Sequence, residues 1–508
     1  MADHMRLRAP QDHGQTLQIP SLGESGNLVA ANRNLLSNYP QELQSIRSIA
    51  RNELAAMALR YSRQYCDADV ELHDQVVMSG HQPTLFHPGV WFKNFALDAA
   101  AKSASATAIN LVVDNDLCAD VNVACPQKIA NGAKLNRVAY DGVEIVLPFE
   151  MRKVKDREVF DSFETRLAAS VAETVASPLI RMLWPEVQAV GDLALPASIA
   201  AGRHRLEQTF GLGTLELPVS RMSTSESFAR FVQRLASEAS RFIEIHNQAL
   251  AEYRKANRVR SRSHPVPELD SDGSFNEIPF WVWTTEDPNR RRLFVRDFDG
   301  GMELTDRGDW SVTFGCSEFT ASFQELNQVD SNVFIRPRAL ATTMFSRLFA
   351  SDLFLHGIGG AKYDQLNDVI ISRFFEIVPP QFMTMTATMK LPFEYQSVTK
   401  QNVSALEDQL RRMRFHPEFR LTGDEDAIRK GWLIENEPSG SRKQWRDEIA
   451  AINERLFERI EGKAELEGEI ALVKNALPTS KILGSREYSF ALFPEKLVEE
   501  LRVLSTEY

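Results

Sequence analysis

Two short stretches, far apart in the chain, repeat one order: an apolar strand, a loop rich in glycine, then a helix. In the first, Gln75, Val76, Val77 and Met78 read as a buried strand. The loop Ser79, Gly80, His81, Gln82, Pro83, Thr84, Leu85, Phe86, His87, Pro88, Gly89 then leads into a helical pattern marked by Trp91, Phe95 and Leu97. In the second, Asp352, Leu353, Phe354, Leu355 and His356 run into Gly357, Ile358, Gly359, Gly360, Ala361, Lys362, Tyr363 and Asp364. Leu366, Ile370 and Phe374 follow at four-residue steps. This order predicts an α/β protein and puts both loops where such a sheet seats its ligand, at carboxyl ends of strands and amino ends of helices. Unpaired N–H groups and the helix dipole there favour an anion. Gly357, Gly359 and Gly360 let the backbone approach a ligand closely, and Lys362 adds a mobile positive charge. The second loop is not GxGxxG, because Lys362 stands where the third glycine would be, and it is not a Walker A loop.

At 508 residues the chain predicts two or three modules. A net charge of −11 argues against a nucleic-acid or anionic-membrane binder, since counterion release needs a basic face. The basic run Arg254, Lys255, Arg258, Arg260, Arg262 reads as cations at a helix end, before a linker over 261–273. No stretch approaches about 18 uninterrupted apolar residues, so no membrane span is expected. The start Met1, Ala2, Asp3, His4 carries no apolar signal core. Cys66, Cys118, Cys125 and Cys316 include no CxxC pair, which points to a reducing compartment without structural zinc. The expected location is cytoplasmic.

Between and around the two loops the chain changes character several times. Residues 1–27 read as an extended lead-in, and Leu43, Ile46, Ala50, Leu54 and Met57 mark a packing helix. Ile109 to Val113 forms a second strand ending at Asp114, Asn115 and Asp116. Carboxylates there suit a metal, a ribose hydroxyl or general-base work, or make a solvated turn. Further strands are expected over 136–140 and 143–147. Residues 151–258 are mainly helical, with Phe228, Phe231, Leu235, Phe242 and Ile245 on one face. Trp281 and Trp283 lie in a β-rich stretch and share a face, for a ligand or for the core. Two seams, Val403, Leu406, Leu410, Met413 and then Trp445, Ile449, Ile452, Leu456, Ile460, predict two helices folded back on each other. Pro478 is expected to end the second, and Phe490, Leu492, Phe493 and Pro494 to return to the core.

Taken together, these stretches resemble the bacillithiol-biosynthesis family of putative cysteine ligases. Gly80, His81 and Gln82, with Leu85, Phe86 and Lys93, look like that family's Gly-Gln-Gln-type loop. Asp114, Asn115 and Asp116, with Asp120 and Asn122, stand where it has an acidic strand end. Arg336 and Pro337 resemble its Arg-Pro after a strand. Gly357, Gly359, Tyr363 and either Gln365 or Leu366 match part of its second glycine segment. The chain departs from the pattern in two places. The histidine of the acidic cluster is absent, with Asp116 near its place, and Gly360, Ala361, Lys362 replace a Gly-Glu piece.

The resemblance implies a Rossmann-like core with a helical insertion and a C-terminal antiparallel coiled-coil hairpin used for homodimerisation. The expected blocks are 1–150 (first half of the core), 151–280 (helical insertion), 281–392 (second half), 393–478 (coiled coil) and 479–508 (return to the core). It also implies an enzyme joining an amino-acid carboxylate to an amine, with a nucleotide (ATP or ADP, with magnesium) or another anionic ligand bound between the glycine loops. Lys93, Lys362 and loop N–H groups would offset developing negative charge. His81 or His87 would serve as general acid or phosphate donor, and Asp114 and Asp116 would hold the amine or magnesium. Arg336 would clamp a carboxylate. Gly80, Gln82, Gly357, Gly359, Gly360 and Tyr363 complete the expected binding set. Two alternatives remain open: a nucleotidyltransferase-like enzyme, suggested by His87, Pro88, Gly89 with Val90 in place of a second histidine, and a non-catalytic ligand sensor or scaffold.

Overall fold

The computed structural model describes residues 7–506 except 131, 143–145, 192–193, 262, 316 and 441. The chain is mixed α/β and divides into two compact units: Met1–Ala124, Arg137–Lys390 and Arg486–Tyr508 in the first, Cys125–Asn136 and Leu391–Ser485 in the second.

The first unit is organised on a six-stranded sheet built from β1 (Gln15–Ile19), β2 (Gln75–His81), β3 (Ala106–Val112), β4 (Leu215–Pro218), β10 (Leu353–His356) and β11 (Phe382–Thr388). The spatial order is β1-β11-β10-β2-β3-β4. All neighbours are parallel except β1, which runs antiparallel to β11 at the edge. The parallel strands therefore lie third, second, first, fourth, fifth in chain order, and the winding reverses between β2 and β10. In an open α/β sheet that reversal leaves a crevice outside the carboxyl ends of the two strands. β3 is buried at every position, as a parallel strand covered on both faces must be. Helix α1 (Gln41–Ser62) precedes β2 and α2 (Pro88–Ala104) follows it, with Pro88 at its first position, where a missing N–H costs nothing. Helix α4 (Ile358–Phe374) follows β10 in the same way.

A second, antiparallel sheet comprises β5 (Asn276–Thr284), β6 (Arg291–Phe298), β7 (Gly301–Thr305), β8 (Ser311–Gly315) and β9 (Val333–Pro337), in the order β8-β7-β6-β5-β9. Both sheets share one core. Phe228 packs edge-on to Phe280 of β5 and to Phe345, within a cluster that also holds Val76, Met78 and Ile109.

Several expectations change here. The block 151–280 contains β4, a core strand, and is not a plain helical insertion. Leu215 to Pro218 is too short to show a period among long helices. Of 281–392, only β10 and β11 join the parallel sheet. The lead-in becomes the edge strand β1. The stretch 143–147 lies mostly outside the described residues, as do Arg262 and Cys316; Leu147–Pro148 pairs with Leu117–Cys118. Strand Gly132–Ala139 covers the piece expected over 136–140 and pairs with Asn122–Ile129. Phe490 does return to the core, stacking on Trp91 at 4.3 Å.

Among its described residues the second unit holds four α-helices, α5 (Lys400–Phe415), α6 (Glu425–Glu435), α7 (Arg442–Arg459) and α8 (Lys463–Leu483), not a two-helix hairpin. The first seam (Leu406, Leu410, Met413) packs with Ile460 of the second seam and with Phe457, Leu466 and Ile470. The second seam (Trp445, Ile449, Ile452, Leu456) packs with Leu433 of α6. Each seam has apolar partners outside the other, so the chain uses four helices. Pro478 lies inside α8, which runs on to Leu483. Ser480 beyond it bonds both the N–H and the carbonyl of Val398 through its hydroxyl, each at 2.9 Å, so tertiary contacts hold the turn that proline weakens.

Candidate active site

A cavity of about 990 Å³ opens at the carboxyl ends of β2 and β10. Gly80, His81, Gln82, His87, Lys93, Asp116, Gly357, Gly359, Gly360, Lys362 and Tyr363 line it, so the two glycine loops expected from sequence meet at one place. Asp114 and Arg336 do not line it.

On the β2 side the two histidines have unexpected roles. The Nδ1 of His81 lies 3.2 Å from the Gln82 carbonyl and must donate to it, which leaves Nε2 as a bare acceptor. Burial, with the Lys93 charge behind it, pushes His81 down to about 3. The ring is therefore neutral at physiological pH and does not fit the expected general acid. His87 caps α2, its Nδ1 accepting from Gly89 N at 3.1 Å while Nε2 faces Glu487 at 3.5 Å. Its Nδ1 is occupied by the cap, and burial lowers its pKa. Lys93, one turn into α2, donates from Nζ to the Gly80 carbonyl at 2.7 Å. Burial, then the Arg203 charge, lowers it to about 7, so it is not the permanent cation expected.

On the β10 side, Gly357 caps α4. A Cβ on Gly360 would lie 2.8 Å from His356 Nδ1, so a side chain there would press on the strand end. His356 Nε2 sits 2.8 Å from Asp364, which also accepts from Thr343 Oγ1 at 2.5 Å and Arg347 Nη1 at 2.8 Å. Burial alone would raise Asp364, but His356 and Arg347 hold it well below the usual carboxylate range. Arg347 also donates to Asp368 at 2.6 Å. This buried charge cluster fixes the first turns of α4 to the helix Ala339–Phe345 and the turn after it.

At the end of β3 the two carboxylates part. Asp116 faces the cavity, accepting from Gln82 Nε2 and Arg290 Nη1, each at 3.1 Å. Asp114 turns inward to accept from the backbone N–H of Ser220 at 2.9 Å and its hydroxyl at 2.5 Å. Burial, then Glu150, raises Asp114 to about 7. It therefore holds neither amine nor metal in the cavity. Arg336 is also withdrawn: it pairs with Glu150 through Nε and Nη2, both at 2.9 Å, and with Asn327 Oδ1 at 2.7 Å. Arg338, two residues on, lines the cavity instead, 4.0 Å above the Trp281 ring. Arg290 lies 5.1 Å from the same ring. Trp281 thus serves the cavity, while Trp283 is buried against Phe334. Arg486 completes the wall, held by the hydroxyls of Thr388 at 2.8 Å and Thr386 at 3.0 Å. Sequence reading missed Arg290, Arg338, Arg486 and His356. None of the four carried a signal in sequence: Arg338 lies just past β9, at the cap of the helix Ala339–Phe345, where strand alternation no longer sets its side.

Fixed positive groups on the wall are Arg8, Arg290, Arg338, Lys362 and Arg486, against the carboxylates Asp116 and Glu487. The excess favours an anion with several charges.

No protein-family model matches the chain, and no curated protein does either.

Among the described residues no group of three or more His, Cys, Asp or Glu side chains is arranged to hold a metal. No described helix is long and apolar enough to cross a membrane.

Asp114 makes a separate test. With a folded pKa near 7 against 3.8 unfolded, it binds a proton on folding between those values, so its contribution to stability falls as pH rises from about 4 to 7. Asp114→Asn removes this contribution. Urea unfolding at pH 4.5, 6 and 7.5 is expected to show the variant gaining on wild type as pH rises, by up to about 1.4 kcal/mol per pH unit. A constant difference contradicts the assignment.

Proposed function

We propose that this chain is an enzyme with a Rossmann-like core that binds a nucleotide, or a comparable polyanion, between the β2 and β10 loops and joins a carboxylate to an amine. The observation that carries this is the convergence of both glycine loops, with their helix N-termini, on one cavity with an excess of arginine and lysine at the point where the sheet reverses its winding. The amide-forming chemistry comes from the motif resemblance to bacillithiol cysteine ligases.

In this reading Arg486, Lys362 and the N–H groups at the starts of α2 and α4 hold phosphate oxygens. Magnesium would have to arrive on the phosphates, since no described group of three His, Cys, Asp or Glu side chains is arranged to hold it, and it would neutralise their charge. Arg338 and Arg290, set on Trp281, orient the second substrate. Gln82 holds Asp116 in place to receive its amine. The nucleotidyltransferase alternative loses ground, since the His87 Nδ1 caps its own helix. The same reading makes the chain a homodimer through its second unit; sedimentation at the mass of one chain contradicts that.

The test is turnover. Protein incubated with ATP, magnesium, amino acids and a panel of primary amines is expected to release phosphate or AMP only when both substrates are present, with the amide seen by mass spectrometry. Release that ignores the amine contradicts amide synthesis.

A further inference from the structure

Two described lysines are buried, Lys93 and Lys430. Lys430 has an ordinary structural explanation: the Glu418 carboxylate lies 2.6 Å from its Nζ. Lys93, 3 % exposed, has no carboxylate within 4 Å among the described residues, and its Nζ donates only to the Gly80 carbonyl. Burying an ammonium without a counter-ion costs several kcal/mol. The groups around it offer no relief. His81 and His87 on the β2 loop, His356 at the end of β10 and Arg203 of helix α3 (Leu195–Thr209) are the titratable or charged groups whose fields reach it. Arg203 is itself matched by Glu216 and Glu207, and His356 by Asp364.

The lysine is also held firmly. Glu207 Oε1 accepts from Trp91 Nε1 and Asn94 Nδ2, both at 2.7 Å, so the turn of α2 that carries Lys93 is clamped from α3. Its stem passes close to Gly357, where an added Cβ would sit 3.9 Å from Lys93 Cδ. The amine thus reaches the cavity wall between the two glycine loops. A buried, unpaired and clamped lysine beside a ligand cavity suits proton transfer better than structure.

We propose that Lys93 Nζ is the proton acceptor for the attacking amine in the condensation inferred above; this rests on that reading of the site. The lone pair of the neutral substrate amine forms the C–N bond to the activated carbonyl carbon while the carbonyl π pair moves to oxygen. The substrate nitrogen, now positive, passes its proton to the lone pair of Nζ. The oxyanion then collapses, the C–O bond to the phosphate leaving group breaks, and Lys93 returns its proton to solvent. The lowered basicity of Lys93 matches this work, because it accepts above about pH 7 and is already protonated below.

The experiment has two arms. Pyridoxal 5′-phosphate traps a neutral amine as an imine that borohydride reduces. Mapped by mass spectrometry on the whole protein, Lys93 labelling is expected to be half-maximal near pH 7. Labelling that rises only above pH 9, or never, overturns the proposal without using turnover. In the second arm Lys93→Met, which keeps the buried stem, is expected to retain nucleotide binding and lose at least about a hundredfold in amide formation. Unchanged turnover overturns the proposal alone, and lost nucleotide binding recasts Lys93 as an anion ligand and overturns it too. A wild-type chain that labels near pH 7 but forms no amide sinks the ligase reading and, with it, this step.

Discussion

Asp364→Ala is expected to destabilise the protein by about 3–5 kcal/mol, the range for removing one partner of a buried ion pair. Arg347 is 1 % exposed on its side chain and would lose its 2.8 Å partner, keeping Asp368 and the Pro380 carbonyl among the described residues. His356 would lose the carboxylate that stands 2.8 Å from its Nε2. Asp364→Asn, which keeps the shape, separates charge from packing. The pH dependence fixes the sign. Asp364 is held below its unfolded value of 3.8, so its stabilisation is fully present above about pH 4 and is lost as pH falls through the folded value. Urea denaturation should therefore show wild type and Asp364→Asn well apart at pH 7 and converging in acid. A difference below about 1 kcal/mol at pH 7 would remove this cluster from the account of how α4 is anchored.

Gly89→Ala is expected to destabilise by about 1–3 kcal/mol and to weaken any anion bound at the start of α2 at least tenfold. A Cβ at Gly89 would stand 2.3 Å from the Ala387 carbonyl, 2.6 Å from Arg486 Nη2 and 2.8 Å from Thr386 Oγ1. The first is backbone in β11 and cannot swing aside, so the helix start must lift from the sheet, and the Arg486 guanidinium must shift on its Thr386 and Thr388 hydroxyls. Gly359→Ala is the matched control. Nothing lies within 4 Å of its added Cβ, so alanine in the first turn of α4 is expected to be neutral or stabilising by up to about 1 kcal/mol. Equal effects at the two positions, by chemical unfolding, would contradict the close approach of α2 to β11.

The parts legible in sequence were local ones. The β2 and β10 loops could be found because strand, glycines and helix follow one another within a few residues, and the structure brings both loops to one cavity. What sequence could not show was which polar groups are shielded from water. Asp114 and Asp116 look alike in the chain, yet Ser220 takes one inward and Arg290 keeps the other at the cavity. Arg336 and Arg338 differ in the same way, because only Arg336 meets Glu150. Arg486 reaches the wall from the far end of the chain, beyond any spacing rule. β4 escaped notice because four residues show no period, and the second unit was misread because each apolar seam had a partner other than the one nearest in pattern.

The central claim, that the cavity holds a polyanion, is most directly tested by calorimetric titration of the full chain with ATP and ADP, with and without magnesium. The account predicts one saturable site per chain, weakened by salt and at least tenfold weaker in Lys362→Ala and Arg486→Ala. No heat with either nucleotide or with inorganic pyrophosphate, or binding indifferent to both substitutions, would contradict it.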